Sequence, residues 1–219
     1  MEDTFKHQAL RKNLVQEIKQ KGIKSIAVLQ AIDKVPRHLF MDSSFLKFAY
    51  QDNAFQIGEG QTISQPFTVA YQSELLNVRK GDSVLEIGTG SGYQSAVLSA
   101  LGAKVFSIER HKKLSDTAKI MLEKLGCNVK CFYGDGYKGL PAFAPFDRII
   151  VTAAAPYVPE DLLKQLKMNG ILVIPEGEGK TQIMKRIKKT AEDKYKTEEF
   201  GNFSFVPMLK STDWDSKNI

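Results

Sequence analysis

Cysteine is scarce in this 219-residue sequence, where Cys127 and Cys131 are the two present. Two thiols cannot supply the framework of bridges on which small secreted domains depend. Flanking or entering an expected strand, they read as core thiols rather than nucleophiles. Nothing resembles a secretory signal, so the expected setting is the reducing cytoplasm. Long hydrophobic runs are also missing, and none approaches the ~20 residues a membrane helix needs, so no membrane partner is expected. The three histidines, His7, His38 and His111, match no metal-ligand spacing, and no metal is expected. No internal repeat or low-complexity linker divides the chain, which reads as a single domain over 1–219.

Charge of one sign is in surplus, at +6 overall, but it is unevenly spread. Residues 180–196 hold seven Lys/Arg against two acids, far in sequence from the motif described next. A run of this kind reads as a solvated face, and no nucleic-acid partner is expected from it.

What is present is a short apolar strand running into alternating glycines, Val84-Leu-Glu-Ile-Gly-Thr-Gly-Ser-Gly92, followed by the helical pattern Tyr93-Gln-Ser-Ala-Val-Leu-Ser-Ala-Leu101. Such a turn gathers backbone N–H groups and a positive helix end at one point. From residue 81 onward strands alternate with helices: strands at 83–87, 104–108, 129–133, 148–152 and 171–174, and helices at 91–101, 112–125 and 160–167. Gly102, Gly126 and Gly170 stand at or near the helix ends. The expected fold class is therefore α/β, a doubly wound, mostly parallel sheet of the Rossmann-like type. Its ligands bind beyond the C-terminal ends of the strands.

Two flanking portions complete the chain. Residues 1–80 open with helices at 5–21, stopped by Gly22, and 26–34, capped by Ser25 and ended by Val35-Pro-Arg-His38. Around 45–61 the pattern dissolves, which suggests a functional loop. A helix follows from Pro66 to about Asn77. Ser64 has two readings there, as a capping hydroxyl ahead of Pro66, with Thr62 and Gln65 at capping-box spacing, or as a group facing a ligand. Residues 81–176 form the cofactor-binding core. In the portion 177–219, residues 182–187 and 195–208 read as antiparallel strands.

The glycine spacing narrows the ligand. A dinucleotide loop needs G-x-G-x-x-G, and here Tyr93 occupies the third glycine's place. No Gly-Lys-Ser/Thr follows, which excludes a P-loop. The pattern E-x-G-x-G-x-G from Glu86, with an acid at the end of the second strand, is that of S-adenosylmethionine binders. Gly88, Thr89, Gly90 and Gly92 form the loop, and Glu109 suits a ribose diol. Gly134-Asp-Gly136 follows the third strand, where Asp135 and Gly136 could meet an adenine.

After the fourth strand Thr152-Ala-Ala-Ala-Pro-Tyr157 offers no side chain to accept from an exocyclic amine. A wall of small residues suits an acceptor that is already a nucleophile. A carboxylate, with a pKa near ~4, needs no general base, and Ser64 could hydrogen-bond it.

Several stretches resemble protein-L-isoaspartate O-methyltransferases. They are Thr62-Ile-Ser-Gln-Pro66 ahead of Leu85-Glu-Ile-Gly-Thr-Gly-Ser-Gly-Tyr93, with Val35-Pro-Arg-His38, Phe146-Asp-Arg-Ile-Ile-Val-Thr-Ala-Ala-Ala-Pro156 and Phe205-Val-Pro-Met208. The resemblance runs from about residue 10 to 210. It implies methyl transfer from S-adenosylmethionine to the α-carboxylate of isoaspartyl residues in peptides and proteins, for repair through a succinimide. It also implies Ser64 as the active-site serine, Glu109 at the ribose, Asp135 and Gly136 at the adenine, and the glycines at the methionine end. Gln61, Thr62, Ile63, Val206 and Pro207 would line a peptide groove. Ala54-Phe-Gln-Ile57 departs from the Leu-Pro-Ile often found there, which leaves the lid path open. A monomer is expected. An RNA or small-molecule methyltransferase, or a non-catalytic module on this fold, are the competing readings.

Overall fold

The computed structural model describes residues 2–213. Residue 1 and residues 214–219, the outer ends of the two flanking portions, lie outside the described residues. Helix α1 (Phe5–Gln20) starts at Thr4, whose hydroxyl accepts from His7 N, and gives way to Gly22 at φ +113°. Ser25 accepts from Val28 N to open α2 (Ile26–Lys34), and Val35 leaves helical geometry ahead of Pro36. Two 3-10 turns follow, Arg37–Phe40 and Ser43–Phe48.

The stretch without a sequence period contains a small antiparallel hairpin, β1 (Phe55–Gly58) and β2 (Gln61–Ile63). Glu59 and Gly60 join the strands, both at positive φ (51° and 67°), as a two-residue hairpin turn requires. Strands of four and three residues are too short for alternation to register. Next comes α3 (Pro66–Leu76), with Asn77 in the left-handed region at its end.

The main sheet is built from β3 (Ser83–Ile87), β4 (Lys104–Glu109), β5 (Val129–Tyr133), β6 (Phe146–Val151), β7 (Leu166–Glu176), β8 (Gln182–Ala191) and β9 (Lys194–Phe203), in the order β5-β4-β3-β6-β7-β8-β9. Pairings from β5 through β7 are parallel, and β7–β8 and β8–β9 are antiparallel. Helices α4 (Tyr93–Ala100), α5 (Lys112–Lys124) and α6 (Glu160–Lys164) lie in the connections. Consecutive residues pack on opposite faces: Leu85 and Ile149 belong to one apolar cluster, Val84 and Ile150 to another. Where both faces are covered, apolar residues stand at consecutive positions, as at 84–85 and 149–151, while the edge strand β5 is only half-buried. Among the described residues no helix is long and apolar enough to cross a membrane.

Two expectations need correction here. The helix expected at 160–167 ends at Lys164, because Leu166 pairs with Phe146 and buries its side chain in β7. Strand β7 is correspondingly longer than 171–174. Asn169 sits at φ +62° where the β6–β7 register shifts, so Gly170 lies within this strand and does not end a helix. The strand expected at 195–208 stops at Phe203, and residues beyond it become a strap across the ends of β6 and β4.

Candidate active site

The glycine loop is shaped by its own backbone. Gly88 N donates to Ile108 O (2.9 Å), Gly92 N to Thr89 O (2.8 Å), and Gly90 N to Glu109 Oε2 (2.8 Å). At the end of β6, Thr152 donates its hydroxyl to Gly88 O at 2.7 Å. A Cβ at Gly88 would lie 2.6 Å from that hydroxyl oxygen, and φ is +95°, so only glycine fits. The loop ends at the first turn of α4, where the N-cap is Gly92 and Ser91 Oγ accepts from Tyr93 N at 3.3 Å.

Glu109 is buried at the end of β4, and its second carboxylate oxygen accepts from His111 N at 2.9 Å. The two backbone donors orient the acid at the edge of the cleft. Gly136 forms part of the opposite wall, where an added Cβ would come within 2.5 Å of Ile87 Cγ2. Asp135 is placed differently: its carboxylate accepts from Tyr137 N (2.9 Å), shaping the 3-10 turn Gly136–Lys138.

Glu86 does not line the cleft. It is fully buried beneath it, where its Oε2 accepts from Ser107 (2.6 Å) and from Ser95 while Oε1 has no partner. Burial pushes this carboxyl up to about 7 despite the serine hydrogen bonds that oppose the shift. Ser107 also bonds Thr89 (2.6 Å), so Glu86 supports the loop through an intermediate hydroxyl. Gly92 likewise faces away, where an added Cβ would meet Leu122 and Ala118 of α5.

Across the cleft stand residues 61–64 of β2 and its continuation, and the strap residues Val206 and Pro207. The strap is held by Ala154, whose N–H donates to Val206 O (2.8 Å) and whose carbonyl accepts from Met208 N (2.7 Å). The cleft encloses about 780 Å³ of empty space, part of it open to solvent. A second groove, walled by Phe67 and Phe205, shares Thr62, Ser64, Thr152 and Val206 with it. Ser64 thus stands where the two meet.

The capping reading of Ser64 is overturned. Gln65 is the N-cap of α3 and no local side chain bonds there, so the Thr62–Gln65 capping box is not formed. Asp52 accepts from Phe67 N instead, at 2.7 Å. The Ser64 hydroxyl has no hydrogen bond within the described residues. Nothing in the sequence analysis marks Thr152 or Asp52 as a site residue. Thr152 had a signal, a hydroxyl directly after the fourth strand, while Asp52 lies in a stretch without pattern.

The histidines are not as scattered as their spacing suggests. His7 and His38 stack at 3.9 Å beside Asp3, whose carboxylate is already paired with Arg11 at 2.9 Å. His111 is the one that reaches the cleft.

A mostly parallel sheet with a glycine turn after its first strand, an acid after the next, and two grooves meeting at a free hydroxyl define an α/β methyltransferase of the S-adenosylmethionine-dependent class. Residues 9–213 match the family described as protein-L-isoaspartate(D-aspartate) O-methyltransferase (PCMT), and the chain belongs to that family. It is 58% identical over 211 residues to the protein-L-isoaspartate O-methyltransferase of Flavobacterium psychrophilum, covering 96% of this chain and 99% of that one. Identity to the enzyme of that name from Cytophaga hutchinsonii is 54% over 217 residues, 99% of this chain and 98% of the other. Among solved structures, one described as a protein-L-isoaspartate O-methyltransferase superposes with TM-score 0.81 at 33% identity, covering 90% of this chain and 65% of that one. Another, from Plasmodium falciparum and described as a beta-aspartate methyltransferase (PCMT) in complex with S-adenosyl-L-homocysteine, gives TM-score 0.81 at 26% identity, covering 91% and 98%.

Proposed function

We infer that this chain transfers a methyl group from S-adenosylmethionine to the α-carboxylate of L-isoaspartyl residues, the first step of repair through a succinimide. The cofactor, when bound, supplies a methyl carried on a sulfonium. The family supports the reaction, and the cleft has suitable donors and walls for the cofactor. Glu109 would accept from a ribose diol and Gly136 would let an adenine lie close, with Asp135 shaping that turn. Gly88, Thr89 and Gly90 would follow the methionine end, while Gly92 and Glu86 hold the loop from behind.

The observation that carries the acceptor half is the free hydroxyl of Ser64 at the junction of the two grooves. Ser64 donates to the acceptor carboxylate and holds one oxygen in line with the methyl. No base is needed, since a carboxylate with pKa near ~4 is ionised at neutral pH. The work is orientation and exclusion of water, which can contribute ~7–11 kcal/mol toward a barrier. Gln61, Thr62, Ile63, Val206 and Pro207 flank the acceptor and would hold the peptide backbone.

Incubation with labelled cofactor and matched isoaspartyl and aspartyl peptides tests this reading. A base-labile methyl ester on the isoaspartyl peptide alone is expected, and equal labelling of both peptides, or label in RNA only, would overturn it. We also propose that the protein acts as a monomer in the reducing cytoplasm, in keeping with its two free thiols. Light scattering that returned a dimer mass at micromolar concentration would contradict the first part, and secretion to the cell exterior the second.

A further inference from the structure

Asp52 sits in the stretch that the sequence leaves without a pattern, yet its side chain is 2% exposed and fully engaged. Oδ1 accepts the Phe67 N–H at 2.7 Å, and Oδ2 accepts from the Gln65 side chain at 3.0 Å and from Lys21 Nζ at 2.6 Å. Phe67 is the second residue of α3, so its N–H is one of the donors a helix start leaves without an intrahelical partner. A carboxylate fifteen residues upstream therefore does the capping that Ser64 would otherwise do. The next residue is tied as well: the Asn53 carbonyl accepts from Arg37 Nη2 at 3.2 Å. That guanidinium is fully buried, 4.9 Å over the ring of Tyr93, the first residue of α4 and part of the cofactor cleft. Residues 52 and 53 thus join the end of α1, the turn Arg37–Phe40, the start of α3 and, through Tyr93, the start of α4.

We propose that Asp52 is a positioning residue for methyl transfer. By holding Gln65 and Phe67 it sets the exit of β2 against the cleft and leaves the Ser64 hydroxyl free for the acceptor carboxylate. This rests on the reading of Ser64 given above. Without Asp52, the exit of β2 and the start of α3 lose their tie to the end of α1, and a cap rebuilt on α3 alone does not restore that tie. Lys21, nearly half exposed, neutralises Asp52 from the outside and is not needed for the geometry.

The test uses the full chain and four variants: Asp52→Ala, Asp52→Asn, Lys21→Met, and the double variant Asp52→Ala/Gln65→Asp. In the double variant a new N-cap carboxylate restores the cap of α3 locally without the tie to residue 52. Readouts are kcat and KM for an isoaspartyl peptide, Kd for S-adenosylhomocysteine, and the thermal midpoint. For Asp52→Ala, kcat/KM falls by about tenfold or more while the S-adenosylhomocysteine Kd stays within about twofold. Asp52→Asn, whose amide oxygen still accepts from Phe67 N–H, stays within about threefold of the unaltered chain, and Lys21→Met within about twofold. The double variant regains the thermal midpoint and not kcat/KM. Should Asp52→Ala fail to fold, the double variant carries the same comparison. The proposal is overturned if folded Asp52→Ala keeps full kcat/KM, or if the double variant regains stability and turnover together. If the unaltered chain binds S-adenosylhomocysteine yet methylates no isoaspartyl peptide, the reading of Ser64 fails and takes this one with it. Full activity in the unaltered chain and in Asp52→Ala sinks this one alone.

Discussion

The two sides of the cleft are built in different ways. On the cofactor side the polypeptide turns on itself: Gly88 bonds to the end of β4, Gly92 to Thr89, and Glu109 to Gly90 and His111. Each of these groups belongs to one strand–glycine–helix unit and the strand that follows it. The acceptor side has no such unit. Its serine emerges from a three-residue strand, its helix is capped by Asp52, and its far wall is a strap that Ala154 holds at Val206 and Met208. A site half made of local backbone geometry and half of long-range ties should fail in two distinguishable ways.

Gly88→Ala gives the sharpest break on the cofactor side. The new Cβ needs a left-handed backbone and the space of the Thr152 hydroxyl, so a stability loss of about 3 kcal/mol and loss of S-adenosylhomocysteine binding in titration calorimetry are expected. Unchanged affinity in a folded variant would show that the loop does not depend on that close approach.

Glu86 gives this side its pH dependence. Its folded-state pKa of about 7 lies above the ordinary 4.5, so the folded state binds the proton more tightly than the unfolded chain does. The contribution is fully present below pH 4.5 and is lost as pH rises through 7, a change of roughly 3 kcal/mol. Glu86→Gln should flatten denaturant-midpoint stability across that window and be the more stable form at pH 8. A variant with the same pH profile as the unaltered chain would contradict the assignment.

On the acceptor side Ser64→Ala should lower turnover by about tenfold, leave S-adenosylhomocysteine affinity unchanged, and scarcely move the thermal midpoint, since the hydroxyl caps nothing. A drop in the midpoint with normal turnover would restore the capping role. Far from both halves, Ser25→Ala removes a true cap, that of α2, and should cost about 1 kcal/mol in thermal unfolding with activity intact at low temperature. The contrast between Ser25 and Ser64, two serines with similar credentials in sequence, tests which one the fold uses as a cap.

The same contrast explains what could be read in advance. Strands β3 and β6 announce themselves because a sheet covered on both faces needs apolar residues at consecutive positions, and Val84 with Leu85 or Ile149 with Ile150 supply them. Gly88 and Glu109 are legible because backbone approach and an acid at a strand end leave fixed spacings. Glu86 was legible as part of that motif but not in its place, since spacing cannot say which face of a buried strand a carboxylate takes. The hairpin at 55–63 left no period. The change from helix to strand after Lys164 depended on Leu166 finding Phe146, a partner twenty residues away.

The parallel sheet, the glycine turn with its acid, and the Thr-Ile-Ser-Gln-Pro segment that marks the family are all legible in the chain alone, because they rest on local conformation and short spacings. Long-range contacts settle the rest: Asp52 caps α3 and leaves Ser64 free, and Ala154 draws the strap at Val206 and Met208 across the cleft. Each of those depends on a hydrogen bond between segments distant in the chain, and no local preference encodes where a distant carboxylate or carbonyl will come to rest.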